Sequence, residues 1–367
     1  MKFSVARDIL IKPVQAATSI VDKRHTMAIL ANVKLTANEG QLQLCATDLE
    51  IEIIAQVPIT VEEPGEITVP ARKLLDICRS LPEDANIRFS VEGTQAILNS
   101  GRSRFSLSSL PTCDFPSIES KLDDAPIQVA QSVLYRLLKR TYFAMAQQDV
   151  RYFLNGLLIE MSETYLRTVA TNGHRLAMAT ANMAIPLTGG KRQVIVPRKA
   201  VIELIRLLED SDDLVEVAFS TGHIRITLPD YVFTSKLVDG RYPDYNRVIP
   251  TDNKNIMKVC RESMKQTLTR TAILSNEKYH GIRVQVSNNL VTLSANNPEQ
   301  EEAKDELDVD YQGAEMEIGF NVNYLIDALS AMDKDHITIS LNGSSGSAVL
   351  RDGNDSDSIY VVMPIRL

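Results

Sequence analysis

Two apolar periods recur along the chain. Val201, Leu204, Ile205 and Leu208 fall at i, i+3, i+4 and i+7, the spacing that lays one apolar stripe on a helix. Leu74, Ile77, Cys78 and Leu81 repeat it. Each stretch follows an apolar run and leads through an acidic turn into alternating, strand-like sequence. Thus "VPARKLLDICRSLPEDANIRFSV" from Val69 matches "VPRKAVIELIRLLEDSDDLVEVAF" from Val196, and a weaker copy, "FNVNYLIDALSAMDKDHITISL", starts at Phe320. A second element precedes each copy: "CATDLEIEIIAQV", "VATNGHRLAMATA" and "LSANNPEQEEAKDEL" each pass from an apolar strand into a polar turn. Their turn residues Asp48, Asn172 and Asn297 are 124 and 125 residues apart. Asp or Asn at such a place fits a side chain that bonds its own backbone.

Further helical stretches are expected around residues 6–18, 131–145 and 261–273, one opening each repeat. The segments 116–127 and 249–259 are polar, lack periodicity and read as linkers. A period this long predicts globular copies and not a thin solenoid. The expectation is an α+β protein of three similar domains, at 1–124, 125–253 and 254–367, each with two helices and several strands.

Composition narrows the function. The net charge of −8 over 367 residues argues against a protein that holds nucleic acid by phosphate neutralisation alone, although a local basic surface remains compatible. Trp is absent and aromatics are scarce, so bases would find few stacking platforms. Cys45, Cys78, Cys113 and Cys260 show no metal-ligand spacing and are expected to be reduced, buried thiols. The opening "MKFSVARDILIKPVQ" is broken by Arg7, Asp8 and Lys12, unlike a signal peptide. No run approaches the roughly 18 apolar residues of a spanning helix, so a cytoplasmic protein is expected.

"ATNGHRLAMAT" looks at first like an active-site loop, with a glycine, histidine and arginine together. No GxSxG elbow, HExxH pair, P-loop or GxGxxG turn accompanies His174. The repeat instead makes it part of a turn used three times, with histidine in one copy. No catalytic residue, metal or cofactor is expected.

Taken together, "VPARKLLDICRSLP", "SGRSRFSLSSLP", "QQDVRYFLNG", "ATNGHRLA", "FTSKLVDGRYPDYNRVIP", "AILSNEKYHG", "GAEMEIGFNVNYL" and the ending "YVVMPIRL" resemble the bacterial DNA polymerase III beta-subunit family, the sliding clamps. The resemblance runs over the whole chain. It implies the DNA clamp fold with antiparallel sheets, the chain being half of a six-domain ring closed head to tail as a homodimer. Such a ring is a non-catalytic processivity factor that encircles duplex DNA. Its partners would be the polymerase III catalytic subunit, the clamp loader, and other polymerases, mismatch-repair and ligase-type proteins bound through short linear motifs. Nucleoid association in the cytoplasm follows. The competing reading is a binding scaffold that does not encircle DNA.

Three sets of residues carry these expectations. Arg72 and Arg79 lie seven apart on one helix face, Lys199 and Arg206 match them, and Asn323 and Ser330 replace them in the third copy. The bland alternative for these pairs is a solvated helix face. Arg24, Gln148 and Tyr152 join them as DNA-contact candidates by resemblance. The partner-peptide pocket would comprise Leu154, Thr171, Gly173, His174, Arg175, Leu176, Pro243, Arg247, Val248, Ser347, Val361, Met363, Pro364 and Arg366. Within it, Gly173 would leave room for a close backbone, and Arg175 and Arg366 would meet polar groups. A head-to-tail dimer needs two different, complementary patches. Arg102 and Arg104 on one strand face, with Phe105 and Leu107 on the other, would supply one, joined by Lys73. Ile273, Leu274 and the acidic Glu299, Glu301, Glu302 and Asp305 would supply its complement. That acidic run lacks the spacing of a calcium loop.

Overall fold

The computed structural model describes residues 1–21, 27–118, 125–187, 190–250, 255–353 and 357–366. Its α-helices come in pairs, one pair to each repeat: α1 (Arg7–Ile20) and α2 (Ala71–Ser80), α3 (Gln131–Lys139) and α4 (Arg198–Leu207), α5 (Arg261–Ala272) and α6 (Val322–Ser330). The expected stripes are the buried faces: Leu74 and Cys78 on α2, Val201 and Leu204 on α4, all at most 1% exposed. The thiols depart from expectation. Only Cys78 is fully buried, and desolvation pushes it up to about 11, whereas Cys113 is exposed.

The chain forms two compact units, Met1–Ser132 with Ile202–Leu237, and Val133–Val201 with Val238–Leu367. The middle repeat is therefore divided between them. Backbone pairing is the reason. In the first unit, Tyr231–Lys236 of the second repeat pairs antiparallel with Ile51–Pro58 of the first, Phe233 opposite Ile53, closing an eight-stranded sheet. In the second, Arg175–Asn182 pairs with Ser358–Val362 of the third repeat, Leu176 opposite Val361, in another eight-stranded sheet. Buried amide and carbonyl groups must find partners, so strands at these repeat boundaries bond into the next repeat. Smaller sheets of five and four strands complete the two units.

A buried ionic knot fixes the segment that leaves the second repeat. Glu160, on strand Gly156–Ser162, has a wholly buried side chain. Its Oε1 accepts from the hydroxyls of Tyr165 at 2.8 Å and Tyr245 at 2.9 Å, and its Oε2 from Gln193 at 2.5 Å. Lys191 Nζ lies 2.8 Å away, and Arg167 donates to the Tyr245 hydroxyl at 3.0 Å. Burial alone would push this carboxyl up, but the bonds from Lys191, Gln193 and the two tyrosines outweigh it and hold it below its ordinary value. Tyr242 is the second anchor, its hydroxyl accepting from the Thr171 amide at 3.0 Å. The segment from Tyr242 to Val248 is thereby tied to the sheet at two points.

Because the folded Glu160 titrates below its unfolded value, its stabilisation is full above the unfolded pKa and is lost as pH falls through the folded one. Glu160→Gln is expected to destabilise by about 2 kcal/mol at pH 7, since it removes the buried carboxylate on which Tyr165, Tyr245, Gln193 and Lys191 converge. Urea unfolding should show the gap between parent and variant narrowing below about pH 4, near the unfolded carboxylate value. A gap constant from pH 7 to pH 3 would contradict an ionised Glu160.

Candidate partner-binding site and nucleic-acid surface

The repeated polar turn is built as the spacing suggested. Asp48 Oδ1 accepts from the amides of Glu50 at 2.9 Å and Ile51 at 2.7 Å. Asn172 Oδ1 accepts from those of His174 and Arg175, both at 3.0 Å, and Asn297 Oδ1 from that of Glu301 at 2.9 Å. In the second copy, Thr171 Oγ1 adds a bond to the Arg175 carbonyl at 2.6 Å. His174 stands exposed at the tip, and its carbonyl accepts the Met363 amide at 2.9 Å. This bond extends the pairing with Ser358–Val362 and fixes the C-terminal tail beside the turn.

Leu176 and Val361 meet here in an apolar cluster with Leu158, Val169, Tyr242 and Tyr245, edged by the half-buried Phe153, Val238 and Ile249. Leu154, Leu176 and Val361 are at most 2% exposed, so they form a floor and not open walls. The accessible candidates are the half-buried Val248, Met363, Pro364 and Ser347 and the exposed Pro243, Arg247 and Arg366. Tyr242 and Tyr245 both stand in "RYPDYNRV", where nothing local marks them as anchors. Only their distant partners, Thr171 and Glu160, reveal their task.

One expectation for the pocket needs correction. Arg175 does not face the cluster, because strand alternation sends it to the side opposite Leu176. Its Nη1 bonds Asp327 at 2.5 Å, its Nη2 bonds the Phe143 carbonyl, and its guanidinium lies over the rings of Phe143 and Tyr324. Gly173 stands beside the Arg151 side chain. At φ +86° it adopts a conformation that favours glycine, and a Cβ there would sit 3.0 Å from the Arg151 guanidinium. On the Arg175 side lies a separate cavity of about 540 Å³, bounded by Tyr142, Gln147, Asp149, His174, Arg198 and Asp327.

The basic helix faces are less alike than their spacing implied. Arg72 and Arg79 are exposed on α2. On α4, Arg206 Nη1 is held by Glu203 Oε1 at 2.7 Å, while Lys199 is half-buried with a contact of its own. Glu203 is buried, and its second oxygen has no partner among the described residues. Asp76 occupies the matching place in α2 but is exposed and forms no ion pair with Arg79 among the described residues. The i, i+3 acid therefore restrains the basic residue in one copy only. In the third copy, Ser330 Oγ turns back to the Ile326 carbonyl at 2.7 Å. Gln148 and Tyr152 are exposed, Gln148 with φ +55°. Arg24 lies outside the described residues.

Both seam candidates prove to be edge strands. Ser103–Ser108 ends the five-stranded sheet and Glu302–Asp308 ends the four-stranded one, so each leaves a row of backbone groups unpaired within the chain. Phe105 is half-buried and Leu107 buried, while Ile273, just past α5, is 76% exposed beside the half-buried Leu274. Lys73, Glu299 and Glu302 are exposed. The ionic detail differs from expectation. Arg102 sits in the turn before its strand, and Arg104 pairs with Glu92 at 3.6 Å. Asp305 is already bound by Arg270 at 2.7 Å, and Glu301 accepts from Asn297 at 2.6 Å.

Comparison with known proteins places the whole chain. Residues 1–119, 128–244 and 246–366 match the N-terminal, central and C-terminal domains of the DNA polymerase III beta subunit. The beta sliding clamps of Pseudomonas aeruginosa and Escherichia coli K12 are 49% and 47% identical to it, with full coverage of both chains in each case. Crystal structures of the Pseudomonas aeruginosa subunit, one bound to griselimycin, superpose over both entire chains with TM-scores of 0.95 and 0.96 at 49% identity. The Caulobacter crescentus subunit does so at 0.92 and 36% identity. With all three domains matched in order over its entire length, the chain belongs to the DNA polymerase III beta-subunit family, the beta sliding clamps.

Proposed function

We propose that the chain is a non-catalytic processivity subunit. Two copies close head to tail into a ring of six domains, bounded in each copy at 1–124, 125–253 and 254–367, and encircle duplex DNA. The full-length match in all three domains carries this reading. The unpaired edges support the closure. One lies in the first repeat beside Phe105 and Arg104 and the other in the third beside Ile273 and Glu302, so the two patches differ as a heterologous interface requires. The acidic balance suits a ring held by topology, for which tight phosphate binding would oppose sliding. No helix among the described residues is long and apolar enough to cross a membrane. The working place is the cytoplasm, on the nucleoid.

The surface around His174 and Met363 is the docking pocket in this reading. It receives short motifs of the polymerase III catalytic subunit, the clamp loader, other polymerases, and mismatch-repair and ligase-type proteins. Half-buried Met363 and Val248 offer adaptable apolar contacts over the buried floor.

Each element has its test. Changing both Ile273 and Leu274 to Ala should remove roughly 4 kcal/mol of packing at the seam. Sedimentation is expected to show monomer at concentrations where the parent is dimeric, and an unchanged dimer would refute the seam. Removing the charges of Arg72 and Arg79 should weaken salt-sensitive binding to linear duplex but hardly change the lifetime on closed circles. Release from an unbroken circle would favour the scaffold reading. Deleting the last five residues removes Met363, Pro364 and Arg366 and should abolish most of the calorimetric affinity for Gln-Leu-Ser-Leu-Phe while leaving the dimer intact. Equal affinity for parent and truncated protein would place the partner site elsewhere.

A further inference from the structure

The cavity on the Arg175 side contains a cation without a counter-ion among the described residues. Its wall carries two carboxylates, but Asp327 is taken by Arg175 at 2.5 Å and Asp149 by Arg151 at 2.8 Å. Arg198, the first residue of α4, is half-buried. Its one hydrogen bond among the described residues runs to the Met145 carbonyl at 3.3 Å. Desolvation and the neighbouring Arg175 charge both push this guanidinium below its ordinary value. Arg175 Nε is buried without a partner among the described residues. Arg198, unpaired beside the compensated Arg175, favours an anion in this half-enclosed space.

We propose that this cavity is a subsite for an acidic side chain that flanks the apolar motif of a partner peptide, with Arg198 as the residue that binds its carboxylate. The inference rests on the peptide-pocket reading above. Charge balance selects the class of ligand. After the two internal pairs the wall keeps one uncompensated positive charge, which a monoanion neutralises and a dianionic phosphate would overshoot. Continuity selects the source. His174 borders this cavity, and its carbonyl holds the Met363 amide of the pocket. An extended chain advances about 3.3–3.6 Å per residue, so a residue next to the motif can round the Asn172 turn. The planar guanidinium presents paired donors that match a carboxylate.

The test uses the whole dimer and capped peptides: Gln-Leu-Ser-Leu-Phe, the same motif extended by Glu at either end, and matching Gln-extended controls. Calorimetric titration is expected to give one Glu-extended peptide about tenfold tighter than its Gln control, a charge-assisted bond's worth. Arg198→Gln should erase that gain and leave the plain peptide unchanged, while Arg198→Lys keeps part of it. No difference between Glu and Gln peptides on the parent overturns the proposal, a comparison that needs no variant to fold. A gain that survives in Arg198→Gln overturns it too. If that variant keeps the gain but loses salt-sensitive affinity for linear duplex, the cavity takes a backbone phosphodiester instead. Failure of the plain peptide to bind the parent at all refutes the pocket itself, and this subsite with it.

Discussion

Main-chain pairing across the repeat boundaries is the constraint on which the rest depends. A repeat of some 125 residues could in principle close its own sheets. Here two strands of the second repeat pair on one side within it and on the other with a neighbour, Tyr231–Lys236 against Ile51–Pro58 and Arg175–Asn182 against Ser358–Val362. An unpaired buried amide or carbonyl costs about 1–3 kcal/mol, so a ladder of them excludes any arrangement that would leave these strands uncovered. The second pairing also decides where the chain ends. It sets Val361 opposite Leu176 and brings the Met363 amide to the His174 carbonyl. The tail thereby becomes part of the site.

The same economy governs the charges. Glu160 is fully buried yet kept ionised, because Lys191, Gln193, Tyr165 and Tyr245 converge on it. Its work is positional: it fixes Tyr245, and with Tyr242 it holds the segment that displays Pro243, Arg247 and Val248. Arg175 is committed to Asp327 and two aromatic rings, and Arg206 to Glu203. Residues that look free in a sequence are spent on internal pairs. Among the described residues Arg72, Arg79 and Arg198 carry no such carboxylate, and the proposed contacts with nucleic acid and acidic peptide fall on them.

Polar edges tell a related story. Along Glu302–Asp308 the exposed Glu302, Lys304, Glu306 and Asp308 alternate with half-buried residues, and none of its residues is fully buried. Charge on a free edge discourages indiscriminate strand addition. It leaves pairing to a partner edge of opposite charge, as the proposed dimer would supply.

The sequence by itself determined the repeat, the helix stripes and the polar turns at Asp48, Asn172 and Asn297, because each rests on residues close together in the chain. Val201 and Leu204, or Asn172 and the His174 amide, need only local geometry to meet. It also supplied the family, through long motifs that chance does not reproduce. Only the tertiary structure decided which charges are available, because Arg175 meets Asp327 and Glu160 meets Tyr245 across separations that no periodicity encodes. The same holds for Leu154 and Leu176. Their apolar character was legible, but whether they line a pocket or form its floor depends on what other strands lay over them. Burial is set by the whole packed chain, and a side chain's neighbours in space are mostly not its neighbours in sequence.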